Sequence, residues 1–215
     1  MHFFTYAKKD ATIYSGSVQG SSRKLTEQNT GLDSVLEIQK ILPTTVDSST
    51  IVSRALVKFD LSSVSESVVS GDISSDAKYF LRLFNAESKE IPFSDTILAL
   101  PISQSFEMGI GKFDDTPITK DGVTWSWPDT SGSDASSTWN TGGTFYTASD
   151  DNLTSLVMSQ SFEQEIPDLN IDVTTIVNNW FASSSAPNHG FLLKRNDSDE
   201  VGSTDLGNLQ FFSAD

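Results

Sequence analysis

The sequence contains no cysteine. That excludes a disulfide framework and any thiolate metal site. Histidine is almost missing as well, with only His2 and His189 in 215 residues. No His-x-x-x-His spacing for zinc is present. A Ser-His-Asp triad would have to use His189, and no Gly-x-Ser-x-Gly elbow accompanies it. The surrounding Pro187-Asn188-His189-Gly190 reads as a turn entering a strand. Positive charge is scarce: 14 basic residues face 29 acidic ones, for a formal net charge of −15. Such a surface repels phosphate backbones and argues against nucleic acid as a partner. No apolar run approaches the ~20 residues that a membrane-spanning helix needs, so no membrane insertion is expected. Met1 to Asp10 has no continuous apolar stretch and no small-residue cleavage site, and does not read as a secretory signal.

What is present is a series of short alternating runs separated by polar turns. Ala55, Val57, Phe59 and Leu61 alternate with Leu56, Lys58 and Asp60, the pattern of a strand with one buried face. Tyr79 to Phe84 reads as a central strand with apolar side chains on both faces. Leu36 and Ile38, Leu98 to Ile102, Phe191 and Leu193, and Leu209 and Phe211 supply further strands. The clusters between them, such as Ser70-Gly71-Asp72 and Ser131-Gly132-Ser133-Asp134, are turn and loop chemistry. Many short strands with polar connections predict an all-β sandwich of the jelly-roll type. A chain of this length buries roughly 70 % of its unfolded surface and folds without staples. With no internal repeat and no composition shift, residues 1–215 read as a single domain.

One segment has a different period. Val173, Ile176, Val177, Trp180 and Phe181 follow the i, i+3, i+4, i+7, i+8 spacing of one apolar helix stripe. Asp172 can cap its first turn. A short helix over about 172–181 is therefore predicted, lying over one face or the open end of the sandwich.

Candidate sites are few. Gly109-Ile110-Gly111 is a lone G-x-G with no helix pattern behind it, which is not a phosphate loop. Asp114, Asp115 and Asp121 lie on one long loop and read first as solvated acids. Their functional alternative is a calcium ion, since hard oxygen ligands on a loop suit it, although the spacing matches no EF-hand. Three of the four tryptophans, Trp125, Trp127 and Trp139, fall in the irregular stretch from about Ser103 to Asp151. Trp125 and Trp127 alternate with Thr124 and Ser126 and read as core on one strand face. Trp139 and Tyr146, among Ser, Thr and Gly, are the candidates for exposed glycan-stacking aromatics.

An ordered set of segments resembles a known family. It begins with Ser53-Arg54-Ala55-Leu56-Val57-Lys58-Phe59-Asp60-Leu61, then Tyr79 to Phe84 and Phe106-Glu107-Met108-Gly109-Ile110-Gly111. Asp121-Gly122-Val123-Thr124-Trp125, Ile171-Asp172-Val173-Thr174 and Pro187 to Lys194 complete it. The series is similar to the DNRLRE family, a jelly-roll module like carbohydrate-binding modules, found in bacterial surface proteins and in phage virion proteins. The resemblance implies a non-catalytic structural protein of a bacteriophage virion (tail, baseplate, neck or capsid decoration). Such a protein is assembled in the host cytoplasm with other virion proteins and as a homo-oligomer. The alternative it implies is a carbohydrate-binding module of a secreted or cell-surface protein, whose partner is a surface glycan. Two departures stand out. Phe106 occupies a position where relatives carry tryptophan, which suggests packing there. The family's final strand has no counterpart after Phe211-Phe212-Ser213, so Leu209 and Phe211 are expected in a strand that needs a partner from outside or from further sequence. Phe3 and Phe4 are a candidate apolar docking element, with core packing as the alternative.

Overall fold

The computed structural model of the chain describes residues 2–17, 24–43, 49–89, 94–130, 138–139, 156–163, 168–182 and 187–214. Its framework is a curled antiparallel sheet in a sandwich-like, all-β arrangement, with a few short helices. The strands are β1 (Ala7–Tyr14), β2 (Val35–Ile41), β3 (Ile51–Phe59), β4 (Phe80–Leu83) and β5 (Asn85–Lys89). They continue with β6 (Ser94–Pro101), β7 (Met158–Glu163), β8 (Leu169–Asp172), β9 (Phe191–Arg195) and β10 (Gly207–Phe212). The main sheet runs β5-β10-β2-β3-β9-β6-β7, with β1 added on β3, and β4 pairs β8 in a separate ribbon.

The curl has a local cause. β2 and β3 share only the pairs Lys40↔Val52 and Ile41↔Ile51 before they part. Beyond that point hydroxyl side chains take the place of the ladder. The Gln39 amide donates to Ser53 Oγ at 2.9 Å, and the Glu37 amide donates to Thr12 Oγ1 at 2.9 Å. β2 is thereby free to swing across and pair with β10 from Val35 to Lys40. The far side is joined by another side chain. Gln160 of β7 donates to the Asp168 carbonyl at 3.0 Å and accepts from the Asn170 amide of β8 at 2.6 Å.

Alternation then decides what is buried. Ala55 and Val57 of β3, Leu36 and Ile38 of β2, and Leu209 and Phe211 of β10 all enter one large core. The expectation of a one-sided β3 is corrected, because its other face is also covered. Leu56, with Ala11, Ile13 and Leu192, forms a second core roofed by the loop that carries Phe106, Val123 and Trp139. The opposite correction applies to the segment 79–84. It is a ribbon strand rather than a central one: Leu81 and Leu83 are buried, while Phe80 and Phe84 are 52 % and 55 % exposed.

The predicted helix is present as α2 (Thr174–Ala182), with Ile176, Val177 and Trp180 buried. The Thr174 hydroxyl and then its amide, which donates at 2.9 Å, hold the Asp172 carboxyl below the usual range. Two further helices, α1 (Ser62–Ser70) and α3 (Asp197–Val201), correct the expectation of a single one. α1 buries only Val64 and shows no apolar stripe to read. α3 is held from below rather than by apolar burial. Its Glu200 takes Arg54 at 2.5 Å and Lys194 at 3.3 Å, both cations themselves nearly inaccessible. Such a pair is costly to break from one side, because the remaining charge is left buried.

The C-terminal strand needs no outside partner. β10 is paired on both edges, to β2 and to β5, so the expected open strand is overturned. The chain after it is tied back as well: Ser213 Oγ and the Ala214 amide donate to the buried Asp10 carboxylate at 2.9 and 2.8 Å.

Candidate functional site

The aromatics predicted to be exposed are not presented. Trp139 is 3 % exposed in the second core, and its Nε1 donates to the Thr124 carbonyl at 3.0 Å. A buried indole with its one donor satisfied has no free face for a sugar, so the reading of Trp139 as a stacking platform is corrected. Tyr146 lies outside the described residues. Trp125 and Trp127 are half-buried on an irregular turn, not alternating core residues of a strand. Trp125 lies against the Arg54 guanidinium at 4.7 Å from its ring centre.

The acidic loop is used by its own backbone. Asp115 accepts the Lys112 amide at 2.9 Å and the Thr119 hydroxyl at 2.6 Å, closing a turn. Asp114 is exposed, and Asp121 is half-buried at the neighbouring turn. Among the described residues no group of three or more His, Asp or Glu side chains converges as cation ligands, so Asp114, Asp115 and Asp121 are not brought together. The G-x-G has a structural use. Asn29, fully buried, donates to the Met108 and Val123 carbonyls at 2.8 Å each and accepts from the Gly111 amide at 2.8 Å. A Cβ on Gly109, whose φ is +84°, would stand 2.1 Å from the Asp121 carbonyl. Only glycine fits there.

A cleft exists elsewhere, at the ends of β1 and β3. Its walls are Lys8 and Lys9 of β1, Lys58 and Phe59 of β3, the turn Asp60-Leu61-Ser62, Trp180 and Phe181 of α2, and Asn188; its volume is about 550 Å³. That is within the usual range of ligand-binding clefts. Local sequence builds it. The β1–β3 register shifts between Ala7 and Lys9, a bulge that leaves Lys8 unpaired and sets Lys9 opposite Lys58. Ring contacts make the floor: Trp180 packs on Phe191 at 4.8 Å between centroids, and Tyr79 meets the edge of Phe181 at 5.9 Å.

Three lysines gathered here stand out on a chain of net charge −15. Lys8 is 3.3 Å from Asp60 and Lys9 is 2.6 Å from Glu107. Lys58 has no ion pair or hydrogen bond among the described residues. Burial first, then repulsion from Lys9, holds its ammonium below the ordinary lysine range. His189 stands close enough to Lys58 to feel its charge. Burial and that charge both lower its pKa, and it has no hydrogen-bonded carboxylate or hydroxyl among the described residues. The Asn188 amide is already committed, donating to the Phe59 carbonyl and accepting from the Gly190 amide, both at 3.0 Å. The lining thus combines apolar rings with three lysines, and among the described residues no nucleophile–base pair is assembled in it.

Sequence reasoning missed these lysines. Lys8 and Lys9 are adjacent in a chain poor in basic residues, and Lys58 precedes an aromatic at a strand end. That scarcity was the available signal. No protein-family model matches the chain, and no curated protein matches it in sequence.

Proposed function

We propose that the chain is a non-catalytic sandwich domain that works by contact, as a structural protein of a bacteriophage virion assembling with other virion proteins and with copies of itself. The observation that carries the contact reading is the cleft between Lys58 and Phe181, with apolar walls and three lysines and, among the described residues, no aligned acid, base and nucleophile. The virion setting is supported by the ordered motif series from Ser53 to Lys194 and by a fold that needs no disulfide. The acidic remainder of the surface keeps such a protein soluble until a specific face is engaged. β10 is satisfied within the chain, so an unpaired terminal strand is not part of the proposed contact.

The test is direct. Particles released by the source organism's phage are purified on a density gradient and their proteins quantified by mass spectrometry. The chain should appear at a fixed stoichiometry in intact particles. Recovery only in the soluble or secreted fraction, with particles free of it, overturns the virion setting. Turnover of a polysaccharide or ester by the purified chain, lost on changing Lys58 or His189, overturns the non-catalytic reading.

A further inference from the structure

We propose that the cleft is a docking site for an acidic polypeptide segment, in which a partner's Asp or Glu carboxylate meets Lys58 and its neighbouring apolar side chain lies on Phe59 and Phe181. The inference rests on the contact reading above and names the chemistry of its partner.

Three observations choose this occupant. The first is charge: Lys8 and Lys9 are paired with Asp60 and Glu107, and Lys58 is the lysine of the lining left without a directly contacting carboxylate among the described residues. An arriving carboxylate gives Lys58 the direct contact that Asp60 and Glu107, which attract it only from a distance, do not make; in a half-buried setting such a charge-assisted hydrogen bond is strong. The lowered pKa of Lys58 fits this, since a bound carboxylate favours the ammonium form. The second is the state of the neutral polar groups. Both ends of the Asn188 amide are used within the chain, and the Ser62 hydroxyl donates to Asp60 at 2.7 Å. Among the described residues of the lining, Ser65 is left as the neutral polar side chain without a side-chain hydrogen bond. A glycan brings many hydroxyls, each needing a partner once buried, and the neutral polar side chains of the lining leave few places for them. The third is the aromatic floor. Trp180 is only 8 % exposed and already packed on Phe191, so its ring, the largest in the lining, is not offered for sugar stacking. Edges and part-buried faces of Phe59 and Phe181 suit aliphatic side chains instead. A segment alternating acidic and apolar residues matches this arrangement, because successive side chains of an extended peptide point to opposite sides and alternate ones share a face.

The probe is a synthetic octapeptide alternating glutamate and leucine, titrated into the ¹⁵N-labelled full chain and followed by NMR. Its glutamine counterpart, a neutral cello-oligosaccharide and an oligouronate are run beside it. The glutamate peptide should shift the amides of Lys58, Phe59, Phe181 and Asn188. Replacing glutamate by glutamine, or making Lys58→Met, should weaken binding about tenfold or more, the scale of one charge-assisted hydrogen bond. Lys58→Arg should retain it, which separates loss of charge from loss of fold. Equal binding of both peptides, or no shift with the glutamate peptide, overturns the inference. Shifts caused by either saccharide instead also overturn it, yet leave the cleft as the contact surface. Silence toward all four probes removes the cleft as a contact surface, whereas the particle measurement alone decides the virion setting.

Discussion

The two cores of this molecule share strands β3 and β9 but are closed by different means. The larger is closed by regular structure: strands on both sides and the stripe of α2 across its end. The smaller lies on the reverse face of the same strands and is closed by a loop with hardly any repeating backbone pairing. Its order comes from Asn29, which binds the Met108, Gly111 and Val123 backbone. Gln28 helps, donating to the Lys112 carbonyl at 2.8 Å. A single buried amide here does what a ladder does elsewhere, and it does so at glycines that allow the backbones to touch. The difference teaches where each region is vulnerable. Losing one contact in the large core thins a packing shared by many side chains. Losing Asn29 leaves several buried backbone groups without partners at once.

The largest expected effect follows from that contrast. Asn29→Ala orphans two carbonyls and at least one amide in a buried site. With ~1–3 kcal/mol for each unsatisfied group and some relaxation, roofing by residues 106–124 should weaken by about 4–6 kcal/mol. Hydrogen exchange read at the Val123 amide, which donates to the Glu107 carbonyl at 2.7 Å, checks it. Exchange as slow as in the parent would show that the loop is held by its apolar residues and not by the amide.

Trp180→Ala probes the other region. Deleting a buried indole should cost about 3–5 kcal/mol, seen as a lower denaturation midpoint in urea. The loss should be global, because the stripe of α2 closes the core to which every strand layer contributes. An unchanged midpoint would mean that α2 rests on the sandwich without supporting it. The comparison sharpens if Asn29→Ala speeds exchange mainly in the loop while Trp180→Ala speeds it everywhere.

The same contrast explains what could be read from the sequence. Period-two alternation gave away Ala55/Val57 and Leu209/Phe211, and period 3.6 gave away α2, because those elements bury one face against the large core. The second core was hidden. Its roof has no period, and the residue that organises it, Asn29, sits 79 positions from Met108. Arg195 was hidden for a related reason. A charge at the end of a strand reads as solvent-facing, yet it is 1 % exposed and held by Asp95, 2.8 Å away in space and 100 positions away in sequence. Phe80 and Phe84 failed in the opposite sense: large aromatics read as buried, whereas a two-stranded ribbon leaves one face open. At the site, the tryptophan-rich loop drew attention because aromatics among polar residues resemble a binding surface. The cleft instead takes its character from where a β-bulge aims two lysines.

The smallest effect concerns the seam between the two regions, where Asp33 joins the start of β2 to the loop. Its two carboxylate oxygens accept the Phe113 amide at 3.2 and 3.1 Å, and Phe113 in turn lies on the Tyr14 ring at 4.9 Å. Burial, followed by repulsion from Glu37 and Asp114, raises the Asp33 carboxyl to about 6, against the opposing pull of that amide. A carboxyl whose folded pKa lies above its unfolded value of 3.8 binds its proton more tightly in the folded state. Its stabilising contribution is therefore complete below about pH 4 and is lost as the pH rises through about 6. A shift of this size corresponds to ~3 kcal/mol in full, and partial exposure reduces it to about 1–2 kcal/mol. Glu27, Asp60, Asp172 and Asp197 have lowered pKa values and favour the opposite trend, so the parent's own pH profile does not isolate Asp33. The difference between parent and Asp33→Asn does, since asparagine keeps an oxygen for the Phe113 amide and cannot ionise. Asp33→Asn should gain stability relative to the parent between pH 4 and pH 7, by about 1–2 kcal/mol in urea denaturation, and level off above. If the gain appears in exchange at the Phe113 amide but not in the global midpoint, the seam opens with the loop and the two cores come apart in steps. A difference that stays flat across this range would show that Asp33 is already solvated and that the seam carries no electrostatic strain.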